Sequence, residues 1–241
     1  NALGKIGVAD TAYAIRPYLG REHPPNLREI AAQAFGKLRD SASSAALTAA
    51  LQEDPETRVR EAAAGALGCI GGSELLRTTL LPTTLNTREP SLQRAAWLAC
   101  LAAAGQGFED LHFLASTMLE RERRTEVEEV CQRLHTLRGD AAQRDRALAL
   151  EERISESTLS AHEWRASIAH LRRLLDEEPA RTDVLRKIAR CHRELGEFDA
   201  AHKTLTEAIA IAAPQSMPWW ELKLELVSAL EVHVDDLDLI I

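Results

Sequence analysis

Residues able to do chemistry are plentiful in this chain, but their spacing does not assemble them. His112, His135, His162, His170, His192, His202 and His233 are scattered. None forms the i, i+4 pair with an accompanying acid through which a helix grips zinc. Cys69, Cys100, Cys131 and Cys191 contain no CxxC pair, and the first three are evenly spaced. That recurrence suits small helix positions in a repeat, so free structural thiols in a reducing, cytoplasmic setting are expected. Cys191 and His192 are sequence neighbours, so on a helix their side chains diverge and make no nucleophile–base pair. Gly71-Gly72-Ser73 is too short for a phosphate loop and reads as a helix stop followed by a new N-cap. Carboxylates abound without two being set across a cleft. The expectation is a chain that is not an enzyme, with no catalytic residues, no cofactor and no metal.

Charge narrows the partners. The 241 residues carry a formal net charge of −8, which argues against a general nucleic-acid binder. Residues 1–140 hold 16 basic and 18 acidic side chains, and residues 141–241 hold 13 and 19. The second stretch is therefore the acidic one, and a basic partner is expected there. No apolar run reaches the roughly 18 residues of a membrane span. Asn1 falls inside a helical pattern, so the chain is expected to be part of a longer polypeptide with further repeats or domains on both sides.

The elements that must position these residues are organised around 54–72, DPETRVREAAAGALGCIGG. Val59, Ala62, Ala63, Ala66, Leu67 and Ile70 fall at i, +3, +4, +7, +8 and +11, one face of an α-helix. Asp54 is expected to cap it, Pro55 to sit in its first turn and Gly71-Gly72 to stop it. The same face recurs upstream in Leu27, Ile30, Ala31, Ala34, Phe35 and Leu38. It recurs downstream, at nearly the same interval, in Leu92, Ala95, Ala96, Ala99, Cys100 and Ala103. Residues 1–7 match the end of this template, and 10–19 read as the first helix of a pair. Pro17 and Pro82 stand at one and the same position two repeats apart, so a shared kink is expected in the outer helices. A helix pair recurring at such an interval, inside the roughly 20–50-residue range of repeat arrays, implies a stacked α-solenoid.

These residues resemble HEAT-like repeats of the short type seen in the phycobilisome-lyase family, in which a DP-acidic turn leads into VRxxAAxALGxIG. Residues 54–71 match closely and 27–38 (LREIAAQAFGKL) well, 92–105 (LQRAAWLACLAAAG) with substitutions, and 127–139 (VEEVCQRLHTLRG) in part. The resemblance puts the family's structural Asp and Arg on Asp54 and Arg60, with Arg28 as a second Arg. His23 and Asn86 stand near where further aspartates belong. Hydrogen bonding between repeats is the role it implies for Arg28 and Arg60.

Around the helix 92–103, Trp97, Leu98 and Leu101 point about 130–170° away from the core direction. They are expected either to be covered by another part of the chain or to form an exposed partner-binding patch with Trp97 as anchor and Arg94 beside it. The cluster Arg121, Arg123 and Arg124 alternates with Glu120, Glu122 and Glu126 and reads as a solvated helix end.

Past Gly139 comes a polar helix, 140–157, which reads as a junction. The pattern then changes. Leu185, Ile188, Ala189, His192, Leu195, Gly196, Phe198, Ala201, Leu205, Ala208 and Pro214 resemble a tetratricopeptide repeat, with LGEFDAA as its turn motif. Leu and His stand where the family has its first Trp and a Tyr. WWELKLELVSAL, from Trp219, begins another unit, and Ser167, Leu171, Leu174 and Pro179 belong to a degenerate earlier one. One of Trp219 and Trp220 is expected inward. Trp220 is expected to bind a partner, and the apolar ending LDLII is expected to be buried.

The sequence thus predicts an all-α, right-handed α-solenoid of helix-turn-helix repeats: a HEAT-like section over 1–139, a junction over 140–159 and a tetratricopeptide-like section over 160–241. The function it implies is a non-catalytic scaffold or adaptor holding a protein or peptide on its concave surface, through Trp97, Leu98, Leu101, Arg94 and Trp220. The lyase resemblance implies a bilin-attachment or chaperone factor as one alternative, although no residue specifies a tetrapyrrole. A nucleic-acid-binding HEAT surface beginning at Arg28, Arg60 and Arg94 is another, and the net charge opposes it.

Overall fold

The computed structural model of the chain describes residues 8–137 and 139–238. The repeat-helix end expected within 1–7 and the last residues of the LDLII ending lie outside them. Among the described residues every regular element is helical, and they divide into two units. One comprises 8–118 and 124–137; the other comprises 119–123 and 139–238.

In the first unit α1 (Val8–Ile15) runs into a 3-10 turn (Arg16–Leu19) and is followed by α2 (Pro25–Leu38), α3 (Ser44–Glu53) and α4 (Thr57–Ile70). Next come α5 (Ser73–Leu75), a π-helical stretch (Leu76–Leu80) and α6 (Leu81–Asn86), which together form the first rod of a pair. Then follow α7 (Pro90–Ala104), α8 (Phe108–Glu120) and α9 (Arg124–Thr136). The two prolines act where the repeat placed them, but differently. Pro17 sits in the tight 3-10 turn that ends α1, whereas the helix before Pro82 widens into the π stretch. Each departure relieves the clash and missing donor that proline brings to an α-helix.

The second helices of the pairs lie side by side, α2 against α4 and α4 against α7, with α3 on α4 and α6 on α7. Their approach is close enough to require glycine at two equivalent positions. A Cβ on Gly36 would stand 2.9 Å from the Ala66 Cα, and one on Gly68 would stand 2.7 Å from the Ala99 Cα. This lateral contact corrects the single-face reading. Ala64 and Gly68, which stand one repeat before Trp97 and Leu101 and so on the side facing away from the core of their own pair, are buried. Ile30, expected in the core, is 59 % exposed; its equivalents Ala62 and Ala95 are only half-buried, so the position lies at the rim of the core face.

Asp54 does not cap α4. The helix starts at Thr57, after Pro55, and the Asp54 carboxylate instead accepts the Glu56 N–H at 3.0 Å, closing the turn before the helix. Gly71 and Gly72 do stop it, with φ of +78° and +105°.

In the second unit α10 (Ala141–Ser160), α11 (Trp164–Glu177), α12 (Thr182–Glu194), α13 (Phe198–Ile211) and α14 (Met217–Asp238) pack each on the next, and α12 also touches α14. The polar helix at 140–157 thus belongs to α10, the partner of α11. One core layer gathers Ile168, Leu171, Leu174, Val184, Ile188 and Cys191. The other gathers Leu185, Ala189, Leu205, Ala208, Ala212 and Leu222, with Trp219 packed at its edge. His192, in the place of the family's Tyr, is buried and bonds through Nδ1 to Glu197 at 2.7 Å across the Gly196 turn. His170 makes the same kind of bond to Glu151, also at 2.7 Å. Both histidines are committed to packing.

The thiols follow the fold. Cys100, Cys131 and Cys191 are buried and Cys69 is exposed. Burial, against a weak bond to Thr84, pushes the Cys100 thiol up to about 12, and burial pushes Cys191 up to about 11. Titration of the native protein with a chromogenic disulfide reagent should therefore show one fast thiol, and four only after denaturation. A second fast thiol in the native state would contradict the packing of the buried three.

Candidate functional site

Two arginines on the HEAT-like helices carry the bonds between repeats. Arg28, 4 % exposed on α2, forks onto Asp54, also 4 % exposed: Nε donates to Oδ2 and the terminal nitrogen to Oδ1, both at 2.8 Å. Its other terminal nitrogen donates to the His23 carbonyl at 2.6 Å. Burial alone would raise the Asp54 carboxyl. The Arg28 bonds, the Glu56 N–H and the guanidinium charge outweigh it and hold the carboxyl below its ordinary value.

The next repeat replays the motif with a substitution. Thr87 stands one repeat after Asp54 and still accepts the N–H of Glu89, as Asp54 accepts that of Glu56. Having no carboxylate, it leaves Arg60 to Glu89, which takes one terminal nitrogen at 2.6 Å. The Arg60 Nε is buried without a hydrogen-bond partner. Thr87→Asp should restore the fork and raise stability by about 1 kcal/mol or slightly more, read as a higher urea midpoint. A lower midpoint would refute the equivalence of the two turns. In the third repeat Gln93 replaces the arginine and bonds the Thr84 carbonyl at 3.0 Å. The Asp/Arg pairing between repeats thus has one complete rung at Arg28–Asp54 and one altered rung at Arg60–Glu89, and it ends at Gln93.

The apolar side of α7 is covered by the chain itself. Trp97 is 1 % and Leu101 2 % exposed. Their cover is α9: the indole Nε1–H donates to Glu129, and Arg133 donates to the Leu101 carbonyl at 3.1 Å. Arg94 forks onto the same Glu129 at 2.9 and 3.1 Å. The Arg94 bond, opposed by burial and aided by the Trp97 N–H, keeps the Glu129 carboxyl below its ordinary value. An exposed patch anchored on Trp97 and Leu101 is therefore corrected to an interior seam between α7 and α9. Only Leu98, at 49 %, faces solvent. Arg94 remains partly exposed while pinning α9. In the second unit Trp219 packs inward with Lys223 over its ring at 4.1 Å, and Trp220 is 50 % exposed.

A different surface emerges between α12 and α14. The polar face of α12 carries Arg186, Lys187, Arg190 and Arg193, with no acid between Asp183 and Glu194. These four line a cleft of about 240 Å³ whose apolar wall is Ala189 and Leu205, with Glu225 of α14 on its far side. A second cleft shares Arg186 and Lys187 and continues past Thr182, Asp183, Pro218, Glu221 and Leu222. Arg186 is held by α14, its Nε 2.6 Å from Glu225 and a terminal nitrogen 2.8 Å from Glu221. The side chains of Lys187, Arg190 and Arg193 have no ion pair or hydrogen bond among the described residues. The sequence signal was present in TDVLRKIARCHRE, whose polar helical positions are almost uniformly basic. The stretch's excess of acids masked it.

Among the described residues no group of three or more His, Cys, Asp or Glu is placed to hold a metal. No described helix is long and apolar enough to cross a membrane. Residues 1–68 match the family model of HEAT repeats, and residues 158–226 match that of the tetratricopeptide repeat. The chain therefore carries HEAT-like repeats followed by tetratricopeptide-like repeats in an all-α repeat architecture. Repeats of both kinds are generally protein-interaction scaffolds and typically non-enzymatic. No curated protein matches the chain.

Proposed function

We propose that the chain is a non-catalytic protein-interaction scaffold, and that its tetratricopeptide-like unit holds a peptide segment of the partner in the groove between α12 and α14. The groove itself carries this reading. It consists of two adjoining clefts along one helix face, with Ala189, Leu205, Pro218 and Leu222 as the apolar wall and Lys187, Arg190 and Arg193 on the rim, their side-chain charges unpaired among the described residues. An extended peptide laid there gains apolar contact from the wall and orientation from the rim, the usual division of labour in a binding site. Leu98 on α7 and Trp220 on α14 also remain open to a partner, whereas Trp97 and Leu101 support the surface from beneath.

Selection of a random-peptide display library against the chain tests the reading. The recovered peptides should compete with one another and lose binding to a Lys187→Glu, Arg190→Glu variant whose circular dichroism is unchanged. Peptides that bind this variant as well as the parent would place the interaction elsewhere and overturn the assignment to the groove.

A further inference from the structure

Within the proposed groove the chemistry of the rim specifies the partner. Lys187, Arg190 and Arg193 recur at every third position along α12, about one helical turn apart, and present their charges on one side of the cleft. The unit around them is acidic in sum, so this basic strip is local. The fourth cation, Arg186, is engaged, but by carboxylates: Glu221 and Glu225 reach across from α14 and occupy it as a ligand's carboxylates would.

We infer that the occupant of the α12–α14 groove is an acidic, carboxylate-bearing peptide, that Lys187, Arg190 and Arg193 pair with its side chains, and that Arg186 is shared between it and the two α14 glutamates. This rests on the proposed peptide-binding role of the groove and names the class of peptide. A nucleic-acid strand is the less suitable polyanion. Its phosphates repeat continuously, whereas the cations of this groove are bordered by Asp183, Glu221 and Glu225, which would face those phosphates with like charge. A peptide can set its acids against α12 and apolar or neutral residues against the Ala189–Leu205 wall. A basic peptide, expected from the charge of the second stretch as a whole, meets the wrong sign here.

The glutamates also provide a readout that a purely structural role would not give. If they compete with the ligand for Arg186, removing their charge should tighten binding. If they serve only to fasten α14, removing it should weaken binding or leave it unchanged.

The experiment is fluorescence anisotropy of the full chain with three labelled probes: a short Glu/Asp-rich peptide containing interspersed Leu and Ala, its Gln/Asn counterpart, and oligouridylate. The inference predicts that the acidic peptide binds at least about tenfold more tightly than the other two and weakens as salt is raised. Arg190→Glu with Arg193→Glu should abolish the preference. Glu221→Gln with Glu225→Gln should strengthen acidic-peptide binding by about threefold or more, with the thermal midpoint followed in parallel to show that α14 stays docked. Equal binding of the Gln/Asn peptide, still sensitive to the α12 variants, would overturn the acidic class and leave the groove standing. Stronger binding of oligouridylate would overturn it in favour of nucleic acid. Absence of binding by the acidic peptide would also overturn it, and the display selection then decides separately whether the groove binds peptides at all.

Discussion

Asp54→Ala should cost the first unit about 3–5 kcal/mol, the range for removing one partner of a buried ion pair. The loss follows from what remains. Arg28 would be left 4 % exposed with its Nε and one terminal nitrogen facing no acceptor, held only by the His23 carbonyl. Asp54→Asn keeps the shape and the acceptor for the Glu56 N–H but drops the charge, and should fall between the parent and the alanine variant. The pair also carries a signature in pH. The folded Asp54 carboxyl lies below its ordinary value, so its contribution is complete above the unfolded-state value near about 4 and is lost as the pH falls through the folded one. Urea unfolding of the parent should weaken on acidification below about pH 4 more steeply than that of Asp54→Asn. A loss in Asp54→Ala of under about 1 kcal/mol, the worth of a surface pair, would contradict the buried fork.

Trp97→Ala should be comparably severe, about 3–5 kcal/mol, because it empties the largest fully buried side chain of the unit. It also removes a donor from Glu129, which would keep only its Arg94 partners. Trp97→Phe separates the two effects: it retains most of the packing and should lose about 1–2 kcal/mol for the bond and the smaller ring. Leu98→Ala, one residue along but half exposed, should be nearly silent by the same urea assay. If Trp97→Ala proved as mild as Leu98→Ala, the seam between α7 and α9 would not exist as described. A partner lost on Trp97→Ala would report a damaged unit and not a lost contact.

The periodic signals were legible because each depends on neighbours within one helix or one repeat. The template of Val59, Ala63, Ala66 and Leu67 located α4, and its displacement by one repeat in either direction located α2 and α7. The LGEFDAA turn located the α12–α13 pair in the same way. What one helix face could not reveal was contact with the adjoining repeat. Trp97 and Leu101 pointed away from the core direction of their own pair and so looked exposed, yet a third helix lies there. Ala64 and Gly68 carried the hint, since small residues on an outward face are what lateral approach requires.

Asp54 illustrates a second limit. A residue before a helix reads locally as a cap, but its partner Arg28 lies 26 positions away and wins the carboxylate. Position 87 was likewise obscure: the repeat interval places Thr87 one repeat after Asp54, but only the turn bond to the Glu89 N–H shows that it does the same local work. The groove was missed for a different reason. Summing charge over a whole stretch hid four cations that helical spacing gathers on one face of α12.

The most direct test of the scaffold reading is amide hydrogen exchange of the chain, with and without a saturating peptide from the display selection. Slowed exchange concentrated in α12 and α14, with α2 and α4 unchanged, is the predicted result. Protection confined to the first unit, or none at saturation, would contradict a peptide-holding groove in the second.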